Sequence, residues 1–107
     1  AATFIGNYTI LAAEDFGRAC GEKFSSRHVA IRPEIVHLSL QPDEGEEKYH
    51  LRGSIANSMC HGSIIRYDVL CSGIHINSDV VFEGGDLLQE GTEVFLSIKK
   101  DAVIELD

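Results

Sequence analysis

Ser63-Ile64-Ile65-Arg66-Tyr67-Asp68-Val69-Leu70-Cys71-Ser72-Gly73-Ile74-His75-Ile76 is the stretch whose reading decides the fold. Between residues 63 and 71 the side chains alternate. Ile65, Tyr67, Val69 and Cys71 fall on one face, and Ile64, Arg66, Asp68 and Leu70 on the other. A period of two is the signature of a strand with one face in a core, because successive Cβ atoms leave a pleated backbone on opposite sides. Ser72-Gly73 supplies the small, left-handed-tolerant residues of a tight turn, and a second apolar run follows at once. Gly62 provides the same freedom just ahead of the first run.

Working outward, the pattern recurs. Tyr49, Leu51, Gly53 and Ile55 share a face. Val36, Leu38 and Leu40 share another, opposite His37 and Ser39. Residues 9–12, after Gly6-Asn7, and residues 28–31 read as shorter strands. Residues 79–82, 92–98 and 102–106 complete the set, separated by Gly84-Gly85 and Glu90-Gly91. Arg32-Pro33-Glu34 stops a strand at a corner, since proline fixes its φ and cannot donate to a ladder. Asp43-Glu44-Gly45-Glu46-Glu47 reads as a solvated hairpin tip, without the spacing of a calcium loop. Helical periodicity is almost absent, and Leu87-Leu88-Gln89 allows no more than one turn. About eight short strands predict an all-β barrel or sandwich. Its core is predicted to hold Val29, Ile31, Leu51, Ile55, Tyr67, Val69, Val94, Leu96 and Ile98. No linker divides the chain, so residues 1–107 are expected to form one domain.

Composition narrows the function. The chain carries a net charge of −8, which opposes nucleic-acid binding, where affinity comes from neutralising phosphates. No apolar run approaches the roughly 18–20 residues of a membrane span. Cys20, Cys60 and Cys71 are odd in number and widely spaced, which suits a reducing cytosol better than a disulfide framework. Cys60 and His61 are adjacent, so a strand would point them apart, and no other close pair has the spacing of zinc ligands. A nucleophilic Cys–His pair fails on the same geometry. Neither a phosphate-binding loop nor a dinucleotide glycine motif occurs, so the chain is expected to be no enzyme by itself and to hold no cofactor. It begins at Ala1 rather than Met, which suggests part of a longer protein.

Several segments occur in an order that resembles a known family. They are Ala30-Ile31-Arg32-Pro33-Glu34, Leu51-Arg52-Gly53-Ser54-Ile55 as a hairpin, His61-Gly62-Ser63-Ile64-Ile65-Arg66-Tyr67-Asp68-Val69, and the run from Leu88 through Gly91-Thr92-Glu93-Val94 to Ile98, closed by Val103-Ile104. Together they resemble the TOBE-type regulatory domain that follows the nucleotide-binding domain in ATP-binding subunits of bacterial ABC importers. Phe4-Ile5-Gly6-Asn7-Tyr8-Thr9-Ile10-Leu11 resembles the lead-in from that ATPase domain, with Thr9 where the family usually has Asn. On this reading residues 1–12 are that lead-in.

The resemblance implies an OB-like β-barrel that regulates transport. Its implied partners are its own ATPase domain, a homodimer mate and, through the parent protein, the membrane permease subunits. ATP and magnesium would belong to the absent ATPase domain, and the location would be cytoplasmic, peripheral to the inner membrane. The polyamine, ferric-iron and phosphonate importers are the nearest in pattern. Molybdate-type relatives bind substrate in this domain, but no matching residues occur here, and a free-standing oxyanion-type binding barrel is the alternative. The candidate interface and regulatory residues are Arg32, Pro33 and Glu34 at the corner, with Met59, His61, Gly62 and Arg66 around the turn. Two blander readings stand beside that one: Arg32 and Glu34 as a fold-supporting ion pair, and residues 58–62 folded back over the barrel mouth.

Overall fold

A computed structural model describes residues 3–107, with side chains from residue 6 onward; Ala1 and Ala2 of the expected lead-in lie outside the described residues. Among the described residues nine strands occur in chain order: β1 (Thr3–Ile5), β2 (Tyr8–Ala12), β3 (His28–Ile31), β4 (His37–Ser39), β5 (Lys48–His61), β6 (Ile64–Cys71), β7 (Ile74–Val81), β8 (Glu93–Lys99) and β9 (Ile104–Leu106). They form two antiparallel sheets, ordered β1-β2-β3-β9 and β4-β8-β5-β6-β7. The fold is all-β, as the alternation predicts, and OB-like, as the resemblance implies. All nine predicted core residues are buried, none more than 4% exposed.

The fourteen-residue strand β5 joins the second sheet together. Its first half pairs with β8 from Lys48↔Lys99 to Ser54↔Glu93, and its second half pairs with β6 from Ser54↔Leu70 to His61↔Ile64. The register slips between Ile55 and Asn57, leaving Ala56 as a bulge. A bulge bends a strand and raises its twist, which curls a flat sheet toward closure. Gly53 lies where the two pairings meet, and a Cβ there would come within 2.4 Å of the Leu70 carbonyl oxygen. Only glycine lets β6 approach so closely.

The two hairpins around β6 follow from their turn residues. In the His61-Gly62-Ser63-Ile64 turn only Gly62 has positive φ, 62°, the pattern of a type II′ turn. In Cys71-Ser72-Gly73-Ile74 both central residues are positive, 48° and 84°, the pattern of type I′.

Four expectations need correction. Residues 13–20 form an α-helix, α1 (Ala13–Cys20), which packs Ala13, Phe16 and Gly17 inward. Phe16 meets Phe24 and Tyr49 with ring centroids 5.5–5.6 Å apart, so the helix closes one end of the core with an aromatic cluster. Residues 51–55 are the interior of β5 and not a hairpin of their own, because β8 and β6 both claim that stretch. Residues 43–47 are not a hairpin tip either: β4 and β5 flank β8, so the loop crosses over its end. Finally, Leu40 lies beyond β4 and is 54% exposed, whereas Val36 is buried.

Candidate interaction site

Met59, Gly62 and Arg66 belong to the β5–β6 hairpin, whose register places Met59 opposite Arg66 and His61 opposite Ile64. The expected five-residue tip shrinks to Gly62-Ser63, so Met59, Cys60 and His61 are paired strand residues rather than loop residues. Across β6, Arg66 stands opposite Asp79 and Ile64 opposite Val81. Two cross-strand rows therefore run side by side, Met59-Arg66-Asp79 and His61-Ile64-Val81. With Asn7 of the β1–β2 turn, Met59, His61, Ile64, Arg66 and Asp79 line a cleft of about 430 Å³.

Arg66 holds Asp79 through two hydrogen bonds, Nε to Oδ1 at 2.7 Å and Nη2 to Oδ2 at 2.9 Å. This fork-on-carboxylate geometry fixes both side chains. The Arg66 guanidinium is held charged first by the Asp79 hydrogen bond and further by the charges of Asp79 and Glu34. The corner at residues 32–34 reaches the same edge of the sheet through β7, on which its turn packs.

At that corner Pro33 opens a 3-10 turn, Pro33–Ile35, and is buried. Its fixed φ suits the first position of such a turn, where the missing N–H is not needed. The Ser78 hydroxyl donates to the Val36 carbonyl at 2.7 Å and pins the turn against β7. Arg32 and Glu34 remain at the surface, 3.9 Å apart, with side chains 43% and 49% exposed. An exposed pair at that distance contributes little to stability. Their ionic heads are available to a partner.

The structure places Met59, His61, Gly62 and Arg66 together on one hairpin, and Arg32, Pro33 and Glu34 at a separate corner that Ser78 fastens to β7. Met59 and Val81 present apolar area, 63% and 58% exposed. The Arg66–Asp79 pair borders it with charge, and Arg32 and Glu34 add exposed charge at the corner. Sequence reasoning missed Asp79, Asn7 and Val81. Counting outward from the Ser72-Gly73 turn pairs Arg66 with Asp79, so that partner was available from register alone. Nothing local marks Asn7, which arrives through the contact of two sheets.

Cys60 and His61 are neighbours on β5 and project to opposite faces. Among the described residues, no three His, Cys, Asp or Glu side chains converge as metal ligands.

The family model for the TOBE domain matches residues 29–106, from β3 into β9. The matched segment contains all seven candidate residues and leaves β1, β2 and α1 outside it. No curated protein matches the chain.

Proposed function

This chain belongs to the TOBE domain family, and from that membership we propose that it is the regulatory and dimerisation domain of the ATP-binding subunit of an ABC importer. The solute is polyamine, ferric iron or a related small molecule. The domain is not itself catalytic; ATP and magnesium are handled by an ATPase domain elsewhere in the parent protein. Its partners are that ATPase domain, a second copy and, through the parent, the permease subunits at the cytoplasmic face of the inner membrane. No helix of the chain is long and apolar enough to cross a membrane among the described residues.

The observation that supports this reading is the surface of the β5–β6 hairpin, where exposed Met59 and Val81 lie beside the Arg66–Asp79 pair, together with the charged Arg32–Glu34 corner fastened to β7, the edge strand next to it. Apolar anchors within a charged rim are the ordinary anatomy of a protein contact. Met59 is unbranched and adaptable, which suits a surface that engages more than one partner state. A contact of this size is weak alone and is reinforced when the rest of the subunit holds it in place.

The test has two parts. The reading frame ahead of Ala1 should encode a phosphate-binding loop and the ABC signature; an initiator Met close to Ala1 would favour a free-standing ligand-binding barrel instead. In the full subunit, Met59→Glu combined with His61→Glu should weaken dimerisation in analytical ultracentrifugation and alter transport in cells. Arg66 is left intact so that its pair with Asp79 still holds the fold. Unchanged association and transport by a folded variant would remove this face from the regulatory role.

A further inference from the structure

β4 and β7 are the outer strands of the second sheet, and neither pairs with the other or with any further strand among the described residues. The sheet curls until the two come near each other, which leaves a seam between them. The Pro33–Ile35 turn packs into that seam where Ser78 fastens it to β7. Past Ser78 the cover ends, and Val80, Val81 and Phe82, three apolar residues in a row, stand exposed.

The phase of the ladder fixes which backbone groups face the seam. Cys71 and Ile74 flank a two-residue turn, and at the other end the Phe82 N–H donates to the Ser63 carbonyl at 2.7 Å. Bonded pairs between β6 and β7 therefore fall at every second position, including Tyr67–Ser78 and Ile65–Val80. The N–H and C=O of Asp79 and Val81 point the other way, off the sheet, with no backbone partner among the described residues. A bare apolar edge of this kind is a template for another strand. Beside it lies a groove of about 260 Å³, with an apolar wall of Leu38, Ile65, Tyr67, Val80, Phe82 and Leu87. Glu83 and Asp86 also line it, and neither has an ion-pair partner among the described residues.

Charge decides between occupants. A second copy laid antiparallel on this edge about Val81 would set Glu83 of each chain opposite Asp79 of the other, and each chain carries a net charge of −8. Like charges directly across a strand pair are destabilising. A strand that carries Lys or Arg meets the opposite situation.

We propose that the seam at the end of β7 takes up an extended segment of a partner protein as an added strand. It bonds to the Asp79 and Val81 backbone, sets apolar side chains in the groove and brings a basic residue to Glu83 and Asp86. This added strand does not require the transporter role proposed above and uses none of Met59, His61 or Arg66.

The chain, isotopically labelled, is titrated by NMR with the peptide acetyl-Lys-Val-Thr-Val-Lys-amide, with its counterpart carrying Glu in place of Lys, and with the basic peptide N-methylated at every backbone amide. Saturable shifts centred on Asp79, Val81 and Phe82 are expected with the basic peptide in the millimolar range. The acidic and the N-methylated peptides should each bind at least about tenfold more weakly, through charge repulsion and through lost ladder bonds. Val81→Pro removes one outward N–H, a change that an edge strand tolerates, and should weaken the basic peptide by about tenfold with the rest of the spectrum native. Glu83→Gln combined with Asp86→Asn should weaken it by about fivefold. No saturable shift with the basic peptide overturns the proposal, as do shifts confined to Met59 and His61. Equal binding of the N-methylated peptide excludes an added strand, and equal binding of the acidic one excludes a basic partner. Shifts along β7 that follow the concentration of the chain itself, without peptide, would seat a second copy there and overturn it too.

Discussion

Arg66 and Asp79 stand opposite each other on β6 and β7 and close a two-pronged ion pair at 2.7 and 2.9 Å. The Asp79 side chain is 13% exposed and that of Arg66 37%, so the carboxylate depends on this one cation more than the reverse. Arg66→Ala should therefore destabilise the fold by about 1 kcal/mol, a value reduced from that of a buried charged bond because the guanidinium is partly in water. A double-mutant cycle with Asp79→Ala, read from urea unfolding, should give a coupling of similar size. Additive single effects would show the pair to be a surface ornament.

Gly53 yields a sharper expectation. A Cβ at this position would lie 2.4 Å from the Leu70 oxygen, 2.7 Å from the Cys71 Sγ and 3.0 Å from the Val69 Cγ1. Two of these neighbours are a strand carbonyl and a buried side chain, which cannot swing away. Gly53→Ala should cost about 1–3 kcal/mol through overpacking, outweighing the entropy gained by losing a glycine. That cost corresponds to a fall in Tm of several degrees in a domain of this size. A Tm equal to that of the parent would mean that β6 has room to retreat.

Ser72 occupies a left-handed conformation, φ 48°, in the type I′ turn between β6 and β7. Asparagine tolerates that region better than serine and pairs with glycine in the preferred turn of this type. Ser72→Asn should raise stability by about 0.5 kcal/mol, in line with other turn optimisations. Chemical denaturation with an unchanged m-value is the measurement, and a loss of stability would contradict the turn assignment.

The sheet core was legible because its period of two is set by burial on one face, and β5, β6 and β8 keep that period through long runs. Helix α1 was overlooked although its signals are present. Glu14 and Asp15 lie in the first turn, Arg18 in the last, and Ala13, Phe16, Gly17 and Cys20 recur at helical spacing. At eight residues the pattern is short, and Gly17 within it lowers helix propensity, so strand alternation on either side dominated the reading. The placement of residues 43–47 was not legible because strand order is a long-range property. A charged, glycine-containing run between two strands looks the same whether it closes a hairpin or crosses a third strand. For the candidate site, Arg66 and Met59 were visible on the hairpin, but the seating of the Pro33–Ile35 turn against β7 depends on Ser78, 42 residues from Val36 in sequence.

The three cysteines should separate by burial. Cys60 is exposed, Cys20 is half-buried with its thiol pKa raised chiefly by burial, and Cys71 is buried with its pKa pushed up to about 12 by desolvation and then by the charge of Asp68. Since the thiolate is the reactive form, a thiol reagent on the native protein should label one site quickly, lost in Cys60→Ser, and all three only after unfolding. The same burial makes stability depend on alkaline pH. In the unfolded chain the Cys71 thiol titrates near its ordinary value of 9.0, while in the fold it holds its proton to about 12. Between those values the native state binds more protons than the unfolded one, so stability is complete below pH 9 and declines as the pH rises toward 12. From pH 8 to pH 10 the loss due to this thiol should be about 1.4 kcal/mol. Cys71→Ala, although less stable throughout because it opens a cavity, should show a shallower decline over that interval, which urea unfolding at the two pH values would measure. Parallel declines in parent and variant would mean that the Cys71 thiol ionises alike in both states.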